Sequence, residues 1–128
     1  MIDIHCLGPL RVTQAVMPFM KEDGIIINIS SRFGSITKIS TGELDDITCS
    51  YSYRIAKAAQ NMLTLCMCRE FKSSGLRICS IHPGRLKTDS ASVDADKTPE
   101  EAAEMLFEML NSIEHGKFYS LFEGTIEW

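Results

Sequence analysis

Two short apolar runs on either side of a long helical pattern constrain this chain most. The first, Ile25-Ile26-Ile27-Asn28-Ile29, is almost continuously apolar, as in a strand covered on both faces. The second occupies residues 76–81 and ends in His82-Pro83-Gly84. Between them, residues 51–72 place Ile55, Ala58, Ala59, Met62, Leu63, Cys66 and Met67 at helical spacing, which predicts one helix with that set as its apolar face. Strand, helix, strand implies a parallel pair joined by a helical crossover.

The alternation continues outward. Residues 2–20 read as helix, and Pro9 predicts a break or kink near residues 6–8, because proline removes an amide donor. Asp23-Gly24 reads as a turn, and residues 32–49 as a polar loop. Gly75 stops the long helix, and residues 83–97 form a second irregular loop. Thr98-Pro99-Glu100-Glu101 carries a cap, a proline at the first helical position and an acidic first turn, opening a helix that reaches about Ser112. A last strand is predicted over residues 118–122. The expectation is an α/β chain of one domain, 1–128, with three parallel strands and crossover helices.

Composition narrows the function classes. Net charge is −4, from 13 basic and 17 acidic residues well interspersed, so no basic stripe suits nucleic acid. Arg85, Lys87 and Lys97 could still favour a phosphate locally. No stretch approaches the roughly 20 apolar residues of a membrane helix, and Asp3 with Gly8-Pro9 rules out a signal peptide. Five cysteines, an odd number without a C-x-x-C pair, point to reduced thiols in a cytoplasmic protein. His82 and His115 lack partners at metal-ligand spacing, so they read as structural and no metal is expected.

The chemistry lies where elements end. Tyr53 and Lys57, four apart on a helix, share one face. A neighbouring ammonium favours phenolate and would make Tyr53 a usable acid/base. Ligands of open parallel sheets bind at the carboxyl ends of strands, where Ser31 and Pro83-Gly84 both fall. Ser31 could hydrogen-bond a carbonyl and its developing oxyanion. Taken singly, each has a bland alternative: an interfacial tyrosine beside a solvated lysine, or an ordinary loop serine.

As a set, INISSRFGSI, YSYRIAKAAQNMLTL and IHPGRLKTD resemble the C-terminal half of the short-chain dehydrogenase/reductase family, in its carbonyl-reductase-like subgroup. GPLRVTQAVMPFM resembles the helix before the serine strand. The resemblance implies a partial Rossmann-like sheet without its N-terminal dinucleotide-binding half. It implies Tyr53 as proton donor or acceptor and Lys57 lowering its pKa and holding the nicotinamide ribose. Ser31 would position the carbonyl. Pro83, Gly84, Leu86 and Thr88 would border the nicotinamide of NAD or NADP, Leu86 through a backbone amide. The substrate would be a small carbonyl or alcohol.

The chain departs from that pattern in three places. The family's fourth catalytic residue, an asparagine, aligns with His5, whose imidazole can also hydrogen-bond a water. No glycine-rich phosphate-binding turn occurs, which predicts negligible NADPH affinity and leaves the first strand an apolar edge. The interval from Ser31 to Tyr53 is long, and the resemblance implies that residues 37–49 extend the wall of the substrate pocket. The alternative to an oxidoreductase is a non-catalytic remnant or a module that self-associates, as a homo-oligomer, through its first two helices.

Overall fold

The computed structural model describes residues 1–89, 91 and 95–128. Four strands form one sheet in the order β1 (Ile25–Ile29), β2 (Arg77–His82), β3 (Phe118–Ser120), β4 (Gly124–Thr125). The first three run parallel, with Ile25 opposite Arg77 and Ser80 opposite Phe118. The two-residue β4 pairs antiparallel with β3 and adds a strand to the three expected. β1 is one edge of the sheet and β4 the other; on β1, Ile29 keeps 46% of its surface exposed.

The first helical stretch is broken where proline demands it. A π-helical turn, Asp3–Leu7, leads into α1 (Gly8–Val16), and a single 3-10 turn, Met17–Phe19, closes the stretch. The wide turn lets the Gly8 amide donate to the Asp3 carbonyl just before Pro9, which has no amide to give. Residues 32–49 are more ordered than a polar loop. Arg32–Gly34 form a 3-10 turn and α2 (Ile36–Ser40) follows, capped by the Ser35 side chain accepting from the Lys38 amide.

α3 (Tyr51–Glu70) crosses between β1 and β2. Gly75 ends the connection at φ +79°, where a Cβ would stand 2.6 Å from the Glu22 carbonyl oxygen. α4 (Pro99–Met109) opens with a complete capping box between Thr98 and Glu101 and ends in a 3-10 turn to Ser112.

Of the apolar face expected for α3, Met67 is buried and Leu63 packs against the core, but the buried side is otherwise a different one. Ile55 and Met62 are 59% and 55% exposed, whereas Ala56, Lys57, Gln60, Asn61, Thr64, Met67 and Cys68 are buried. The reason lies in the sheet beneath. Toward the strand starts α3 meets Ile26 and Ile78, and there Met67, Cys68 and Leu76 make an apolar cluster. Toward the carboxyl ends it meets Asn28, Ser30 and Ser80, and the helix supplies polar partners to match. The opposite sheet face is apolar, with Cys79, Ile81 and Tyr119 packed with Ala102, Ile113 and Leu121.

All five cysteines are unpaired; Cys66 is exposed while Cys68, two residues on, is buried. Burial pushes the Cys79 thiol up to about 12, with the nearby Cys68 adding to it. Among the described residues no helix is long and apolar enough to cross a membrane.

Candidate active site

The end of β1 is bolted to α3 by side-chain hydrogen bonds. Lys57, only 5% exposed, donates from Nζ to the Ile29 carbonyl at 2.9 Å and to Gln60 Oε1 at 3.0 Å. Asn61 accepts from Ser30 Oγ at 2.6 Å and donates to the Gly34 carbonyl at 3.1 Å. Deeper in, Thr64 Oγ1 accepts from Asn28 Nδ2 and Ser80 Oγ and donates to the Gln60 carbonyl. Buried polar atoms left unpaired would each cost about 1–3 kcal/mol, so this network is a condition of the fold.

Gly34 sets the distance of approach. A Cβ there would lie 2.7 Å from the Lys57 backbone carbon and oxygen and 3.0 Å from Asn61 Nδ2. The turn after Ser31 therefore presses directly on the α3 backbone. Ser31 itself is extended (φ −151°, ψ 148°) and buried, and its Oγ accepts from the Phe33 amide at 3.3 Å. Among the described residues its own proton has no acceptor.

Around Tyr53 the groups are aromatic and cationic. The Lys57 ammonium lies 5.8 Å from the Tyr53 ring centroid. The rings of His5 and Phe33 approach edge-on at 5.7 and 6.4 Å. Burial pushes the Lys57 ammonium below its ordinary value. His5 is lowered as well, by burial first and then by the charges of Lys57 and the chain's N-terminal amine.

Across the sheet, the Ser30 amide donates to the Ile81 carbonyl at 2.7 Å, which sets the end of β1 beside the end of β2. Pro83 and Gly84 leave from there. Gly84 has φ +92°, and the space where a Cβ would stand is taken by the Phe122 ring, 3.0 Å away. Leu86 turns into the apolar core on the α4 side and bridges to Lys97 through the backbone. Thr88 is exposed and its carbonyl accepts from the Ala91 amide.

Residues 1–99 match the short chain dehydrogenase family. The chain belongs to that family. It is 32% identical to the C-signal of Myxococcus xanthus over 98% of its own length and 75% of that protein. It is 34% identical to 1-hydroxy-2-glutathionyl-2-methyl-3-butene dehydrogenase of a Rhodococcus strain, over 88% of this chain and 49% of the relative. Among solved structures, the NADPH-bound carbonyl reductase from chicken fatty liver superposes with a TM-score of 0.83 at 28% identity, over 97% of this chain and 52% of that one. The chain thus spans three quarters of one relative and about half of the others, and its sheet is a fragment of the Rossmann-like short-chain dehydrogenase fold.

Tyr53, Lys57 and His5 are brought together by ring and charge contacts, and Ser31 is tied to them through Phe33 and the Ile29 carbonyl. Pro83 and Gly84 stand on the neighbouring strand end. Among the described residues no hydrogen bond joins the Thr88 side chain to Ser31, Tyr53 or Lys57. Residues 37–49 wall a cavity of about 550 Å³ lined mainly by Phe33, Ile36, Ile39, Ile47, Ile55 and Ala58. None of Ser31, Tyr53 and Lys57 lines it; Phe33 and Gly34 belong to both places. Sequence reasoning passed over Gly34, Gln60 and Asn61. An amide at the exposed-looking phase of α3, eight residues after the tyrosine, was the available signal.

Proposed function

We propose that the chain carries the proton-transfer half of an NAD(P)-dependent oxidoreductase that interconverts a carbonyl and an alcohol, with Ser31, Tyr53 and Lys57 at its centre. The observation that supports this most is a buried ammonium held to the Ile29 carbonyl, two residues before Ser31, and 5.8 Å from the Tyr53 ring. A reduced nicotinamide held against Lys57 and the Pro83-Gly84 turn would supply the hydride. Tyr53 gives its phenolic proton to the carbonyl oxygen, and the Lys57 ammonium stabilises the phenolate left behind. Ser31 donates a hydrogen bond to the same oxygen while its charge builds. His5, edge-on to Tyr53, stands at the outer end of the proton path.

The residues present fit the nicotinamide end of the cofactor. Lys57 Nζ has one donor beyond its two bonds, enough for a ribose hydroxyl. Pro83, Gly84, Leu86 and Thr88 are assigned to its border, with Gly84 already packed by Phe122 on one side. For the pyrophosphate the fit is poor: the positive-φ glycines at 42, 75, 84, 116 and 124 open no helix. We therefore expect this chain alone to bind NADPH weakly, and saturation at micromolar NADPH in a fluorescence titration would overturn that expectation. In whichever length of the protein turns over, Tyr53→Phe lowers carbonyl reduction about 10²–10⁴-fold with circular dichroism unchanged. Undiminished turnover removes the mechanism. Five unpaired thiols accord with a cytoplasmic setting.

A second reading, a self-associating module without catalysis, rests on exposed apolar residues. Val12 and Phe19, on and just beyond α1, and Ile55 and Met62 on α3 are 63%, 84%, 59% and 55% exposed. Sedimentation equilibrium decides it: a monomer at micromolar concentration excludes this reading.

A further inference from the structure

At the carboxyl ends of β1, β2 and β3 lies a second cavity of about 80 Å³. Arg32, the residue after Ser31, and His82, the residue before Pro83, both line it. His82 is 93% buried (7% exposed), and its Nδ1 has no hydrogen-bond partner among the described residues. A buried ring nitrogen without a partner marks a place where a polar group belongs.

Size and charge identify that group. At about 80 Å³ the cavity has room for a few waters or one small polar group. Among the described residues its charged lining is Arg32, Arg85, Lys97, Asp96 and Glu123. Arg85 faces Asp96 at 3.6 Å. Lys97 holds its ammonium 5.1 Å from the Phe122 ring centroid, and Arg32 lies 5.7 Å from that of Phe33. With His82 neutral these described groups sum to one net positive charge, which suits a monoanion; Asp96 and Glu123 disfavour a dianion. A planar carboxylate matches the guanidinium fork of Arg32.

We propose that this cavity binds a carboxylate, with Arg32 and Lys97 as its ionic partners and His82 Nδ1–H as a further donor, and that the substrate of the neighbouring site is a carbonyl compound bearing that acid group. The substrate assignment rests on the oxidoreductase reading above; the carboxylate site does not. The imidazole of His82 is pushed down to about 4, by burial first and then by Arg32, Lys38 and Lys57, so at neutral pH the ring is neutral and can present the required tautomer.

The test uses the full chain labelled at its histidines, at pH 7, with sodium acetate titrated at constant ionic strength against sodium chloride. We expect a saturable shift of the His82 ring resonances, assigned with His82→Gln, while His5 and His115 stay put. Arg32→Gln raises the apparent Kd about tenfold or more, the loss expected for one charge-assisted hydrogen bond. Lys97→Gln carries the same expectation and serves if Arg32→Gln does not fold. Absence of a saturable shift, equal movement of all three histidines, an unchanged Kd in the variant, or saturation by phosphate in place of acetate overturns the proposal. Because turnover is not read, failure of the Tyr53 mechanism leaves this result standing, and the reverse.

Discussion

The two faces of β2 make the useful comparison. On one, Cys79 and Ile81 sit in an apolar cluster with Ala102, Ile113 and Leu121. On the other, Ser80 reaches Thr64 and His82 lines a polar cavity, over a helix whose buried side includes Lys57, Gln60 and Asn61. Apolar contacts are strong in sum and tolerant in direction. Hydrogen bonds are weaker in net contribution but fix distance and angle. The α4 side therefore holds the sheet together, while the α3 side determines where Ser31, Tyr53 and Lys57 stand.

That division breaks if the two faces respond alike. The largest effect belongs to the apolar face: Ile81→Ala should cost about 2–5 kcal/mol in urea unfolding, since Ile81 is fully buried. If the loss is under 1 kcal/mol, the α4 side is not what stabilises the sheet. Next comes pH. His82 titrates near 4 in the folded chain against 6.5 in the unfolded one. Above pH 6.5 both states hold it neutral; as pH falls toward 4 only the unfolded state takes the proton. Stability should drop by about 3 kcal/mol across that window and level off below it. His82→Asn should flatten this part of the profile, and an unchanged slope would show that other groups cause it.

Asn61→Ala sharpens the contrast further. It strands the Ser30 hydroxyl and the Gly34 carbonyl, at about 1–3 kcal/mol, and releases the turn that follows Ser31. Here the loss of activity should exceed anything Ile81→Ala causes at matched stability, as kcat measured well below each melting point would show. The smallest effect is Thr98→Ala at the α4 cap, about 1 kcal/mol by thermal unfolding.

Much of the fold was legible because it is written in local pattern. The Ile25–Ile29 run and the Thr98 cap depend on residues close in sequence, and both elements lie where the pattern put them, whereas α3 ends at Glu70, short of the expected residue 72 and well before Gly75. The Tyr53–Lys57 pairing is also local, four residues on one helix. The buried face of α3 was misread because hydrophobic spacing assumes an apolar partner, and here the partner strand ends are Asn28, Ser30 and Ser80. Nothing in the helix alone announces that. The short β4 and α2 escaped for a similar reason: each is a few residues long and is held by contacts from elsewhere, such as Ser35 donating to the Glu127 carbonyl.

The order of residues alone determined that strands and helices alternate, that a phenol and an ammonium share a helix face, and that a serine and a Pro-Gly follow strands. Those are short-range consequences of side-chain shape and backbone geometry. Only the tertiary structure decided that Gly34 rests on the Lys57 backbone, that the Lys57 ammonium is buried against the Ile29 carbonyl, and that the His82 imidazole lies in a small charged cavity with one nitrogen unmatched. Each of these joins segments at least twenty residues apart, or depends on what water is excluded from, and burial is a property of the assembled sheet and helices rather than of any stretch of chain.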